Sequence, residues 1–172
     1  MSTKKKKIDF EFLKSSRLKE EIDMTTVFDM ADWFLHKKPL THKQLQKLCY
    51  YAQAWHLALL NRPLFDEEFQ AWIHGPVCPP LFAKYTDCGW LPIKRRKGKA
   101  PRFDADSLQV LNAVFATYAK MSGAQLEVLT HSELPWKKAR GNIAPTEPST
   151  NTINRDEMRK FYGETYRKAQ GD

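Results

Sequence analysis

Three groups of residues in this 172-residue chain have types and spacings that invite chemistry. His42, Cys49 and His56 recur at intervals of seven, on one face of a helix but two turns apart. Zinc ligands on a helix sit at i and i+3 or i+4, so these residues do not share an ion. Neither Cys-x-x-Cys nor His-Glu-x-x-His occurs, and no metal or cofactor is expected. Cys78, after Gly75-Pro76-Val77, is the candidate nucleophile, with His74 or His131 as its base. A buried, inert cysteine is the commoner fate of such a residue. Walker, Rossmann and Gly-x-Ser-x-Gly patterns are missing, so no enzyme is expected.

The third group is positive charge. Lys94, Arg95, Arg96, Lys97, Lys99 and Arg102 fall within nine positions that contain no acid. Gly98 and Pro101 interrupt the run, which therefore reads as an exposed loop 94–102 and not as a helix face. Clustered Lys and Arg release counterions from phosphates, so a nucleic-acid-binding regulator is the alternative function. A solvated connection is the plainer reading. The net charge of +8 permits an acidic partner of either kind.

These residues need elements to position them. Composition is that of a soluble globular protein, 42% hydrophobic and 28% charged, and the length suits one domain. Seven glycines are too few for a Gly-rich barrel or a glycine-loop nucleotide fold. The longest apolar stretch, Cys49 to Leu60, is broken by Gln53 and His56 and is too short to span a membrane. No apolar run of signal-peptide length follows Lys4 to Lys7. Three unpaired-looking cysteines suggest reduced thiols, and the expected location is the cytoplasm.

Helix signals begin after Met24. Thr26 caps a helix bearing Phe28, Ala31, Phe34 and Leu35, which ends before Pro39. Thr41 and Gln44 form a capping box ahead of Leu45, Leu48, Ala52, Trp55 and Leu59, the clearest amphipathic pattern in the chain. Alternation from Pro63 to His74 predicts a small hairpin that Gly75-Pro76 closes with a turn. Pro79-Pro80 opens a short helix. Asp106 with Gln109 starts another, expected to be central to the core through Leu108, Leu111, Phe115 and Tyr118. Ser122 with Gln125, a turn at Pro135, and Asn154 with Glu157 open the remaining helical segments. The expectation is a mainly α, single compact helical domain of about six helices with one short β-hairpin.

Several motifs in fixed order add a resemblance. The first block is Leu40-Thr41-His42, Lys43 to Leu48 with Lys47 inside it, Tyr50-Tyr51-Ala52-Gln53-Ala54-Trp55-His56 and Pro63-Leu64-Phe65. The second is Ala71-Trp72-Ile73-His74-Gly75-Pro76-Val77. The third is Thr130-His131 followed by Pro135-Trp136-Lys137-Lys138-Ala139, with Ile153 and the last helix beyond. Over roughly residues 25–166 this order resembles the Panacea domain family of SocA-like antitoxins and phage-associated GepA-like proteins.

The resemblance implies a non-enzymatic antitoxin, often carried on prophages, that neutralises a cognate protein toxin encoded nearby by direct binding. Its SocA branch implies a cellular protease as a second partner. Thr41, Lys47, Tyr50, Tyr51, Trp55, Trp72, Gly75, Pro76, Val77, Thr130, His131, Pro135 and Trp136 then either define the fold or line a shared partner groove. The chain divides into an N-terminal extension, 1–23, and a Panacea-like helical domain, 24–172. Two features outside the shared pattern are candidates for partner specificity. They are Phe10, Phe12, Leu13 and Leu18 in the extension, and Arg95, Arg96 and Lys97 in the basic loop.

Overall fold

The computed structural model of the protein describes residues 25–171; Phe10, Phe12, Leu13 and Leu18 lie outside the described residues. Helix α1 (Val27–Lys37) starts where Thr26 and Asp29 form a reciprocal capping box. Helix α2 (His42–Leu60) starts on the Thr41–Gln44 box and ends at Asn61 in the left-handed conformation. A two-stranded antiparallel hairpin follows, β1 (Gln70–Trp72) and β2 (Gly75–Val77). Helix α3 (Pro79–Tyr85) runs into a 3-10 turn at Thr86–Cys88. After the basic loop come α4 (Ala105–Tyr118), α5 (Gly123–Ser132), α6 (Leu134–Arg140) and α7 (Arg155–Gln170). Seven helices and one short hairpin thus make up the described residues, α6 being the turn expected at Pro135 grown to a full helix.

Helix α2 is the axis of the molecule. It packs against α1, α4, α5, α7 and β2, so burial runs almost all round it instead of along one stripe. Gln46, Lys47, Gln53 and His56 are buried with the apolar residues, each holding a partner. Gln53, for example, donates to Phe65 O and accepts from Leu64 N, both at 2.7 Å, pinning the chain that returns from α2. The core proper gathers Met30, Phe34, Leu45, Leu48, Tyr50, Tyr51, Leu81, Leu111 and Tyr162 around this axis.

Three expectations are corrected here. The hairpin is shifted: its turn lies at Ile73-His74, and Gly75-Pro76 belongs to β2, with Trp72 opposite Gly75. Leu64 and Phe65 are buried coil, held by Gln53, and form no strand. Helix α4 begins two residues early because Asp104, not Asp106, accepts from Ser107 N at 2.9 Å. Its buried apolar residues are Val110, Leu111, Val114 and Tyr118, while Leu108 and Phe115 are half-buried, and α2 takes the central place. Loop 141–153 is held by buried Arg140, which donates to the carbonyls of Ala71 (2.9 Å), Ala144 (2.7 Å) and Glu147. Among the described residues, no helix is long and apolar enough to cross a membrane.

Candidate functional site

The second motif block lies across the first turns of α2, and one lysine explains why. Lys47 is buried to 1% exposure, and its stem passes under the hairpin so that Nζ donates to Pro76 O at 3.0 Å. Gly75 has φ +99°, and a Cβ there would stand 2.6 Å from Lys47 Cε and 2.9 Å from Thr130 Oγ1. Glycine is therefore required twice, by its dihedral and by the lysine it admits. Thr130 turns its own hydroxyl back to Glu127 O at 2.9 Å. Lys47, Gly75, Pro76 and Thr130, drawn from three distant stretches, form one packed unit.

Through Lys47 that unit reaches the floor of an open groove of about 870 Å³ lined by α2, the hairpin, α3 and the turn after it, the start of α5, and residues 148–150 of the last loop. His42 and Phe82 stack in it with ring centroids 4.9 Å apart, and Trp72 leans on Phe82 at 5.0 Å. Val77 continues this apolar wall. On the other side Glu127 takes Lys43 at 2.5 Å and His74 at 2.8 Å. Trp90 stands at the rim, 82% exposed, beside Leu91 at 73%. Thr41, the α2 cap, lines the groove's edge.

The electrostatics follow from burial. Lys47 loses its water and has Lys43 close by; Glu127 only partly compensates, so its amine falls to about 7. His42 is lowered by burial and then by Lys47. Burial pushes the Glu127 carboxyl up, but hydrogen bonds from Lys43 and His74 outweigh it and hold it below its ordinary value.

Behind the hairpin, Trp136 Nε1 donates to Trp72 O at 2.9 Å, and His131 stacks on Trp136 at 4.0 Å. Pro135 is buried at the start of α6. Tyr50, Tyr51 and Trp55 go elsewhere, into a cage with Tyr118 and Tyr162 around Glu133. Tyr51 and Tyr162 both donate to Glu133 Oε2, at 3.0 and 2.5 Å. Burial lifts this carboxyl to about 7 despite those bonds. The motif residues therefore divide among the groove, the support behind the hairpin and the tyrosine cage.

Glu133, Glu127 and Trp90 are site residues that sequence reading missed. Glu133 sits inside the third block, between His131 and Pro135, where a lone acid before a proline-started helix was the available signal. The nucleophile candidate finds no activation: Cys78 is buried, its thiol is pushed up to about 11, and Gln46 occupies its backbone amide. His74 is spent on Glu127 and His131 on Trp136. His42, Cys49 and His56 part company, to the groove, the core, and a bond with Ser107 at 2.9 Å.

In the basic loop, Arg95 Nε donates to His36 O at 2.8 Å, and Arg96 bonds Asp32 and Tyr85 at 3.3 and 3.1 Å. Lys97 is exposed. The loop is thus tied to α1 and α3, and two of its three specificity candidates also serve the fold.

A family described as "Antitoxin SocA-like, Panacea domain" matches residues 45–137. Antitoxin SocA of Caulobacter vibrioides is similar to this chain, 30% identical over 125 residues, which is 66% of the chain and 64% of that protein. The chain thus aligns with somewhat under two thirds of the length of this curated relative. No solved structure matches it.

Proposed function

The chain belongs to the antitoxin SocA-like, Panacea domain family, and from that premise we propose that it is an antitoxin neutralising a protein toxin by direct contact. The observation that carries this reading is the overlap of the family match with the groove. Residues 45–137 supply its Lys47 floor, the Trp72, Val77 and Phe82 wall, and Trp90 at the rim. A binding protein needs such an open, aromatic-lined surface and no catalytic group. Co-expression with the product of the neighbouring gene, scored for growth, tests the reading. Rescue with co-purification of the two proteins is the expected result, and growth arrest with both proteins soluble would reject it.

Delivery of the toxin to a protease is a finer version of the same proposal. It predicts a shorter toxin half-life in the presence of the chain; rescue at unchanged half-life leaves direct binding alone. The extension 1–23 is proposed to tune partner choice through Phe10, Phe12, Leu13 and Leu18. Deleting residues 2–23 is expected to keep the domain soluble and to weaken neutralisation, and full rescue by the shortened chain would discard that role. Nucleic-acid binding stays as the second reading because Lys94, Lys97, Lys99 and Arg102 are all exposed along one loop.

A further inference from the structure

The groove is chemically lopsided. An ammonium carries three N–H donors, and the hydrogen bond found for Lys47 Nζ among the described residues is the one to Pro76 O, with no carboxylate within ion-pair distance. The acid whose charge acts on it, Glu127, is already shared by Lys43 and His74. The groove therefore presents Lys43, Lys47, His42 and His74 against one engaged carboxylate. Its walls are Trp72, Phe82 and Val77, and its rim carries Trp90 in solvent, next in the chain to the exposed Leu91, adjacent large apolar groups whose exposure needs a reason. A buried donor beside an apolar wall, with an exposed tryptophan at the edge, is the anatomy of a binding hot spot.

We infer that this groove receives an acidic, apolar segment of the protein partner, whose carboxylate is taken by Lys47 and whose neighbouring apolar side chain packs between Trp72, Phe82 and Trp90. The inference rests on the antitoxin reading for the identity of the partner, and on the groove alone for its chemistry. Charge complementarity selects this occupant. A second copy of the chain would bring another +8 of net charge toward a chain that already carries +8. A phosphodiester is flanked on both sides by sugars and fits poorly over an amine recessed to 1% exposure, whereas a carboxylate ends a slim side chain or a C-terminus. Gly75 belongs to the device, because any side chain there would displace the Lys47 stem.

The full-length chain can be titrated with phenylbutyrate and with its uncharged amide, followed by tryptophan fluorescence. The carboxylate should bind at least tenfold more tightly than the amide. Lys47→Met should erase that ratio, and Trp90→Ala should weaken both ligands without altering thermal stability. Equal affinity for acid and amide, or a ratio that survives Lys47→Met, overturns the inference; so does a short single-stranded oligonucleotide displacing the probe more effectively than acidic peptides do. In co-expression, Trp90→Ala and Lys47→Met should lose rescue while staying soluble and folded. Rescue by wild type and by both variants sinks the groove and spares the antitoxin reading; no rescue by wild type, with the acid–amide ratio intact, does the reverse. Where wild type rescues, removing the partner's C-terminal residues, or neutralising its acidic side chains, tells which source supplies the carboxylate.

Discussion

Lys47 and Glu133 are two ionisable groups, one buried and one half-buried, brought to the same place on the pH scale from opposite sides. Burial lowers the amine to about 7 and raises the carboxyl to about 7. Their surroundings differ. Glu133 is half-buried, but its carboxylate is met from inside the chain: Tyr51 and Tyr162 donate to it, Tyr50 and Tyr118 pack against those rings, and Trp55 covers Tyr162. Lys47 has one carbonyl partner and a groove beyond it. Desolvation is the common cost; what separates the two is whether the chain supplies the remaining partners itself. Where it does, the group holds elements together; where it does not, the group is available for recognition.

The largest effect is expected at Gly75, where the groove floor is least forgiving. Gly75→Ala combines a positive-φ penalty with a Cβ set 2.6 Å from Lys47 Cε. Strain and overpacking together should cost about 4 kcal/mol. Urea unfolding measures it, and a loss under about 1 kcal/mol would show that the hairpin moves aside at little cost.

Next in size is the pH dependence, in which the two groups act with opposite sign. Glu133 is protonated more readily folded than unfolded, so its contribution is complete at acid pH and is lost as pH rises toward about 7. Lys47 is protonated less readily folded, so its penalty is full below about 7 and is relieved as pH climbs toward its ordinary value of 10.5. The limbs should span on the order of 3–5 kcal/mol, giving these two groups a joint stability minimum near neutrality. His42, His56 and His131, all lowered by burial, tilt the acid side the other way. The measurement is therefore a difference: wild type minus Glu133→Gln for the acid limb, wild type minus Lys47→Met for the alkaline one. Parallel curves in either pair would break the comparison.

A smaller effect tests the cage alone. Tyr162→Phe removes one donor to Glu133 while keeping the ring, and should cost about 1–2 kcal/mol. It should leave phenylbutyrate binding unchanged, whereas a drop in that binding would mean that groove and cage are one coupled unit.

Much of the scaffold was legible because it is written locally. The boxes at Thr41–Gln44 and Ser122–Gln125 close within four residues and open helices where the pattern said they would. The hairpin register was not legible, because what holds Gly75 in a strand is Lys47, far back in the chain. The third block held Glu133 in plain view. Its tyrosines, however, come from α2 and α7, with Tyr118 of α4 packed alongside, and only folding assembles them. Trp90 belongs to none of the motifs legible in the sequence, and its exposure is a property of the packed surface alone. Motif residues thus announced themselves as a set, and the structure divided the set among the groove, the support behind the hairpin and the cage.

The smallest effect concerns the remaining positive region, the loop 94–102. Arg96 reaches Asp32 and Tyr85, and Arg95 reaches the last turn of α1, so both arginines fasten a loop that would otherwise be linked to α1 and the turn before α2 by a short bridge at Leu40 and Ile93 and by Arg96 N on Leu35 O. Partly exposed pairs of this kind contribute little, so Arg95→Ala, Arg96→Ala and Lys97→Ala combined should cost only about 1 kcal/mol. If the loop is a fastening, rescue and phenylbutyrate binding survive the triple change, and the loss of stability comes from Arg95 and Arg96, with Lys97→Ala alone silent. If the loop takes phosphates, the triple variant should bind duplex DNA more weakly with a flatter salt dependence, and Lys97→Ala should contribute to that loss although Lys97 is exposed and makes no hydrogen bond among the described residues. Lys97 is the discriminating residue, because it is the member of the trio whose effect the internal hydrogen bonds do not predict.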